Sequence, residues 1–414
     1  MIQAEMQPNV LLITPGQSYR LAAYLRATQS VGVTLQVVSD SQHSLTLEIA
    51  EGLQVDFNHP AEAVNHVRAH TKHLSINGIV ATDDNCVELA AGIGEALGLS
   101  VNSAEAARLS RRKDLARQRL QSAGVAVPEH WLLDLTTELP PQLSRLPYPL
   151  VLKPVSLSAS RGVIRADTPD QALDACRQIT KIIAPLASAE ERNTILAERY
   201  LPGEEVALEA FIHEGTFYPL AIFDKPDPLT GPCFEESYYI TPSRHPLPVQ
   251  QQIQKTVQQA CRAYGLQQGP IHAEVRVSQG RAWILEVASR TIGGECSQIL
   301  DEVLVQPLEQ LVLSAAIGSP VNFQKRPGAA GVLMIPTPQT GVLRRINGEQ
   351  RVRSVKHIRE IRLEAEPGQV LQTLPEGGDY LGFIYSSAKT PHEAEQALRL
   401  AHAQLEITID PLLL

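Results

Sequence analysis

The stretch from Gly269 to Gln298 constrains this chain most, because two alternating runs meet across a tight turn and each carries one glutamate. Residues His272 to Val277 and Ala282 to Val287 have the period-two pattern of half-buried strands, and Gln279-Gly280 between them reads as a hairpin turn. Pairing about that turn brings Glu274 and Glu286 to one face. Two carboxylates held together on rigid strands repel unless a cation lies between them, and oxygen-only ligands suit Mg²⁺. Arg290 follows Glu286 and offers a planar cation shaped for phosphate or carboxylate. The loop Thr291-Ile292-Gly293-Gly294 lets backbone approach a ligand closely. An ordinary surface hairpin with two solvated glutamates is the other reading of the same residues.

A chain of 414 residues is too long for one core and implies two to four domains or subdomains. Its net charge of −9 argues against a nucleic-acid surface and against an anionic membrane surface. No apolar run approaches the roughly 20 residues that span a bilayer, and the N-terminus lacks the basic-then-apolar pattern of a signal peptide. The five cysteines are scattered with no C-x-x-C pair, which points to a reducing, cytoplasmic setting rather than to disulfides or a cysteine metal site. Cys176 and Cys261 fall at core positions of predicted helices.

Residues 1 to about 101 alternate strand and helix. Strands are expected at 10–13, 34–38, 54–57 and 78–81, with helices at 19–28, 61–70 and from 82 to about 97. That order predicts a parallel, doubly wound sheet. Thr14-Pro15-Gly16 and Thr82-Asp83-Asp84 follow strand ends, where such sheets bind ligands, and the absence of G-x-G-x-x-G gives no support to a dinucleotide site. Asn102 to Glu105 reads as a capping box opening one helix to about Ala123, with Arg111, Arg112 and Lys113 on a solvated face. The strand Pro149 to Pro154 carries Lys153 just before its closing proline, where a compact charge can meet phosphate oxygens, and the following loop offers Ser158, Ser160 and Gly162 to an anion. Thr194 to Leu201 reads as a strand and turn. Residues 224–246 are proline-rich and irregular and, with Glu236, are expected to form a substrate-side loop. Residues 325–414 read as a closing module with a buried strand at 329–335 and a capping box at Thr390.

Glu274, then Glu286-x-x-x-Arg290 ahead of Gly-Gly, resembles the metal-binding end of an ATP-grasp ligase, and Lys113, Lys153, Gly162, Glu198 and Glu205 precede it in the order of that superfamily. The segment from Leu374 to Tyr385 resembles the C-terminal module of ATP-grasp L-amino-acid ligases. The resemblance implies a multidomain α/β and α+β fold. It comprises a Rossmann-like domain (1–101), a lid subdomain (102–198), a large subdomain with the metal site (199–324) and a C-terminal α+β cap (325–414). It further implies that Lys113, Lys153, Ser158, Ser160 and Gly162 meet ATP phosphates, that Glu198, Tyr200 and Leu201 face adenine, and that Glu205 holds the ribose. Glu274 and Glu286 would carry Mg²⁺, with Mn²⁺ as a substitute. Arg290 and Lys153 would be catalytic, and Glu236, His272, Arg290, Gly293 and Gly294 would line the substrate side. A strand-borne histidine such as His272 also reads as simply packed.

The reaction so implied turns a small-molecule carboxylate into an acyl phosphate that an amine attacks, releasing ADP and phosphate, in a protein of a group that is often dimeric. Two departures stand out. Ser158, Ala159 and Ser160 stand where glycines are frequent, and Ala288 stands where many members place a metal-binding asparagine. A carboxylase or formate-using ligase of the same fold, and a non-catalytic nucleotide-binding protein, are the competing expectations.

Overall fold

The computed structural model describes residues 7–16, 18–40, 52–293, 296–378 and 380–412. Its N-terminal sheet is wholly parallel, in the order Gly52–Gln54, Thr34–Ser39, Asn9–Ile13, Ile76–Ala81. Val10 to Ile13 of strand Asn9–Ile13 are apolar and buried because both faces of the strand are covered. Val10 and Leu12 pack with Leu21, Tyr24 and Ala27 of helix Leu21–Val31. Leu11 and Ile13 pack on the other side with Ala63 and Val67 of helix Pro60–Thr71 and with Leu89 and Ile93 of helix Val87–Leu97. The third strand lies at Gly52–Gln54, just ahead of its expected place.

A four-stranded antiparallel sheet follows, in the order His130–Asp134, Thr194–Arg199, Leu150–Pro154, Ile164–Ala166. Helix Pro169–Ile183 lays Ala172, Ala175, Cys176, Ile179 and Ile183 against it, and Thr168 caps that helix by accepting from Gln171 N. The main body is an eight-stranded sheet. Its order is Arg281–Ala288, Gly269–Ser278, Glu204–His213, Thr216–Asp224, Tyr238–Thr241, Ala329–Ile335, Gly382–Ala388, Ile358–Leu363. Helix Leu247–Tyr264 covers one face with Ile253, Val257, Ala260, Cys261 and Tyr264.

Several expectations need correction. The proline-rich segment 224–246 is not wholly irregular: Tyr238–Thr241 pairs with Ala329–Ile335 and with Asp224, so it joins the two halves of the large sheet. The sheet therefore runs on across residue 325. The helix expected from 102 to 123 is two helices, Ala104–Arg111 and Lys113–Ser122, and Ser103 rather than Asn102 caps the first. Asn102 instead binds the backbone of Gln267 and Gln268. The break at Arg112, with φ −90° and ψ 100°, lets Lys113 N donate to Val155 O at 2.8 Å. It also turns Arg112 and Lys113 inward, so they are 2% and 8% exposed instead of solvated. The capping box at Thr390 is present as expected. Among the described residues no helix is long and apolar enough to cross a membrane.

The N-terminal sheet is seated against helix Leu308–Ala316 through a bare strand position. A Cβ on Gly78 would lie 2.4 Å from the Ala316 carbonyl oxygen, whereas one on helical Gly92 would meet only Val64 at 3.5 Å. Gly78→Ala should therefore lower stability by about 1–3 kcal/mol, and Gly92→Ala should leave it unchanged or raise it by up to about 1 kcal/mol. Thermal melts of the two variants beside the parent chain check this contrast.

Candidate active site

The hairpin at the edge of the large sheet sets the site through cross-strand register. His272, Glu274 and Arg276 alternate onto one face of Gly269–Ser278. On the neighbouring strand His272 stands opposite Glu209 and Arg276 opposite Glu205; on the other side Glu274 stands opposite Glu286. The pairings become contacts. His272 Nδ1 and Glu209 Oε1 lie 2.5 Å apart, and Arg276 NH2 donates to Glu205 Oε2 at 2.7 Å. Gln279 and Gly280 both take left-handed φ, 50° and 71°, as a two-residue hairpin turn requires.

Lys225, directly after strand Thr216–Asp224, extends the ladder. Its ammonium lies 2.7 Å from Glu205 Oε1 and 3.3 Å from Glu274 Oε1 and pairs with Glu236, while Tyr239 donates to Glu236 Oε2 at 2.5 Å. Burial, with Glu274 and Glu205 nearby, pushes Glu236 up against the pull of Lys225. Burial opposes ionisation of Glu274 too, yet Lys225 and His272 hold it well below the usual carboxylate range. Burial pulls His272 down, but Glu209 and Glu274 outweigh it and raise the ring to about 9, which favours its charged form. Carboxylate oxygens of Glu205, Glu236 and Glu274 lie within 4.8 Å of one another, and the single Lys225 ammonium contacts all three. Glu274 and Glu286, facing each other on adjacent strands with one ammonium contact each at 3.3 Å, are hard oxygen donors at the cavity wall, and that donor set fits Mg²⁺.

Two further lysines arrive from the small sheet and the broken helix. Lys153 Nζ lies 2.7 Å from Glu198 Oε2, and Lys113 Nζ donates to Leu157 O at 2.7 Å and to Glu286 at 3.3 Å. Arg117 holds the other oxygen of Glu198 and donates to Leu285 O at 2.5 Å. Burial alone would raise Glu198, yet Arg117 and Lys153 hold it at about 2. Glu198 is only 1% exposed, so here it positions Lys153 and Arg117. In the adjacent loop Ala159 and Ser160 adopt left-handed φ, 55° and 54°, without being glycines. Gly162 serves packing instead. It has φ 69°, a Cβ there would meet Pro154 Cγ at 2.7 Å, and its N–H goes to Pro375 O at 3.0 Å.

The N-terminal domain closes the other end. Arg290 forms a bidentate pair with Asp84, both contacts 2.9 Å. Arg20 pairs with Asp83 and donates to Ile292 O at 3.3 Å. The two loops noted at strand ends thus reach the site through Pro15 and through Asp83 and Asp84.

One cavity of about 700 Å³ gathers Lys113, Lys153, Ser158, Ser160, Glu198, Tyr200, Leu201, Glu205, Glu236, His272, Glu274, Glu286, Arg290 and Gly293. Of the expected site residues, Gly162 does not line it, and Gly294 lies outside the described residues. The sequence reading missed Arg20, Arg117, Lys225, Tyr239 and Arg276. Arg276 was recoverable, since it continues the period-two face of His272 and Glu274. Lys225 and Arg117 carry no spacing signal, because their partners are distant in sequence.

Residues 146–299 match the ATP-grasp domain family, and residues 333–410 match the L-amino acid ligase C-terminal domain 2. Dapdiamide A synthase of Enterobacter agglomerans is 26% identical over 311 residues, 72% of this chain and 72% of that protein. Alanine–anticapsin ligase of Bacillus subtilis (strain 168) is 26% identical over 62% of this chain, which spans only 58% of that relative's length. The crystal structure of L-amino acid ligase from Bacillus licheniformis superposes with a TM-score of 0.85 at 24% identity, covering 98% of this chain and 99% of that one, a likeness of fold.

Glu198 gives the site a pH signature. Its folded value of about 2 lies below the 4.5 of a free glutamate, so its stabilising contribution is full above pH 4.5 and is lost as pH falls toward 2. That contribution is on the order of 3 kcal/mol. Denaturant melts across this acid range should show a steeper loss for the parent chain than for Glu198→Gln, and parallel slopes would contradict the buried ion chain.

Proposed function

From the premise that this chain is an ATP-grasp ligase with an L-amino acid ligase C-terminal domain, we propose that it activates an amino acid's carboxylate with ATP and joins it to an amine. The observation that carries this reading is the convergence, in one cavity, of two lysines, a facing pair of carboxylates and a buried arginine from separate parts of the chain.

Lys113 and Lys153 hold the ATP phosphates. Glu274 and Glu286 hold Mg²⁺, which when bound neutralises phosphate charge. The substrate's carboxylate oxygen takes the γ-phosphoryl group and ADP leaves. The amine nitrogen then attacks the acyl carbon, the carbon–oxygen bond to phosphate breaks, and the nitrogen gives up a proton. Phosphoryl transfer of this kind depends mainly on positioning and charge neutralisation. Arg290 and the protonated His272 stabilise the negative charge that builds at the acyl centre. The small sheet and its loop exclude water, which would otherwise hydrolyse the acyl phosphate. Tyr200 and Leu201 face the base and Glu205 the ribose. The reaction fits the cytoplasm, where ATP is supplied and free cysteines persist.

Phosphate release from Mg-ATP, measured against amino acids offered singly and in pairs, tests this reading. Release that depends on two amino acids, with a matching dipeptide mass, is the expected result. No release and no ATP binding by calorimetry would contradict it. Glu286→Gln should reduce turnover by at least about 100-fold, the upper end of what losing a metal's outer-shell partner costs. Turnover like the parent's would remove Glu286 from the metal site.

A further inference from the structure

We infer that Arg20 is the residue that sets specificity on the amine side, by pairing with the carboxylate of the amine-bearing amino acid. The inference rests on the ligase reading above and adds a second anion subsite to it.

Consecutive residues Asp83 and Asp84 each fix one arginine at the same end of the cavity, Arg20 and Arg290 respectively. Both arginines line the cavity and each residue is 8% exposed. Their surroundings differ. Arg290 gives its Nε and NH2 edge to Asp84 and NH1 to Thr291 O. Arg20 uses one N–H of NH1 for Asp83 and one of NH2 for Ile292 O, and among the described residues none takes its Nε–H. A guanidinium has five N–H donors in a fixed fork, so Arg20 keeps donors for a further acceptor.

The mounting of Arg20 is rigid. Asp83 Oδ2 also accepts from Ser18 Oγ at 2.9 Å and Thr82 Oγ1 at 2.6 Å, and the Arg20 guanidinium lies 4.8 Å from the Tyr19 ring centroid. Arg20 also touches the loop that follows Arg290: its NH2 would lie 3.4 Å from a Cβ on Gly293. A carboxylate on Arg20 therefore sits beside the group that Arg290 serves. In an amino acid the amine is on the carbon next to the carboxylate, so anchoring that carboxylate at Arg20 aims the nitrogen toward the acyl centre. Charge-assisted, fork-shaped recognition discriminates sharply against a neutral isostere.

The experiment offers each protein amino acid and its own carboxamide as the amine, with Mg-ATP and the remaining amino acids as carboxylate donors. It compares the parent chain, Arg20→Gln and Arg20→Lys. The parent should use the free acid at least about 30-fold better than the carboxamide in kcat/KM. Arg20→Gln should lose that preference by raising KM for the acid, while its rate with carboxamide and its calorimetric affinity for Mg-ATP stay within threefold. Arg20→Lys should recover part of the preference. Equal losses on acid and carboxamide, or a parent that accepts both alike, would overturn the subsite and leave the ligase reading intact. If no pair supports turnover, the ligase reading fails, and Arg20 is judged by calorimetry of the same acids and carboxamides with a non-hydrolysable ATP analogue. Acid binding that Arg20→Gln abolishes would sustain the subsite, and no such binding would end it.

Discussion

Everything at this site hangs from the buried ion chain Arg117–Glu198–Lys153. Arg117 is fully buried and comes from the helix after the break at Arg112; Glu198 and Lys153 come from adjacent strands of the small sheet. Through Leu285 O, Arg117 also reaches the strand that bears Glu286. A helix, the small sheet and the edge strand of the large sheet are thereby held in one register. Measured against a well-packed apolar replacement a buried ion pair adds little net stability, but removing one partner leaves a charge stranded, so its geometry is enforced. What the chain gains is a fixed position for Lys153 relative to Glu286.

The same logic governs the hairpin. Each carboxylate there has a protein cation assigned to it: Arg276 and Lys225 to Glu205, Lys225 to Glu236, His272 to Glu209. Glu274 and Glu286 stand apart, opposed on neighbouring strands, each with a looser ammonium contact at 3.3 Å. A ladder of this kind is prepared before any ligand arrives. Charges that need no reorganisation at the moment of reaction stabilise a transition state far better than charges in water. The N-terminal domain completes the set through Asp83 and Asp84, so that domain is a working part of the cavity.

The sequence was most legible where period and chemistry coincide. The parallel N-terminal sheet, the hairpin and its two glutamates, the strand carrying Lys153 and the capped C-terminal helix all follow from local patterns of two or 3.6 residues. Legibility failed where long-range contacts override local preference. Arg112 breaks a helix that local signals continue, because Val155 and Asp114 offer its neighbourhood better partners. Tyr238–Thr241 hides as a strand among prolines, since only pairing with Ala329–Ile335 makes it one. Ala159 and Ser160 take glycine-like φ that their identities do not announce. Lys225 bridges acids 11, 20 and 49 residues away in sequence, which no motif encodes.

The proposed chemistry leaves a mark on one atom. If a carboxylate oxygen takes the γ-phosphoryl group and the amine later displaces it, that oxygen leaves with inorganic phosphate. Turnover of a carboxylate-¹⁸O-labelled donor amino acid with Mg-ATP, read by mass spectrometry, should place one ¹⁸O in each phosphate and yield ADP. Phosphate free of label, or label found in AMP, would contradict activation through an acyl phosphate.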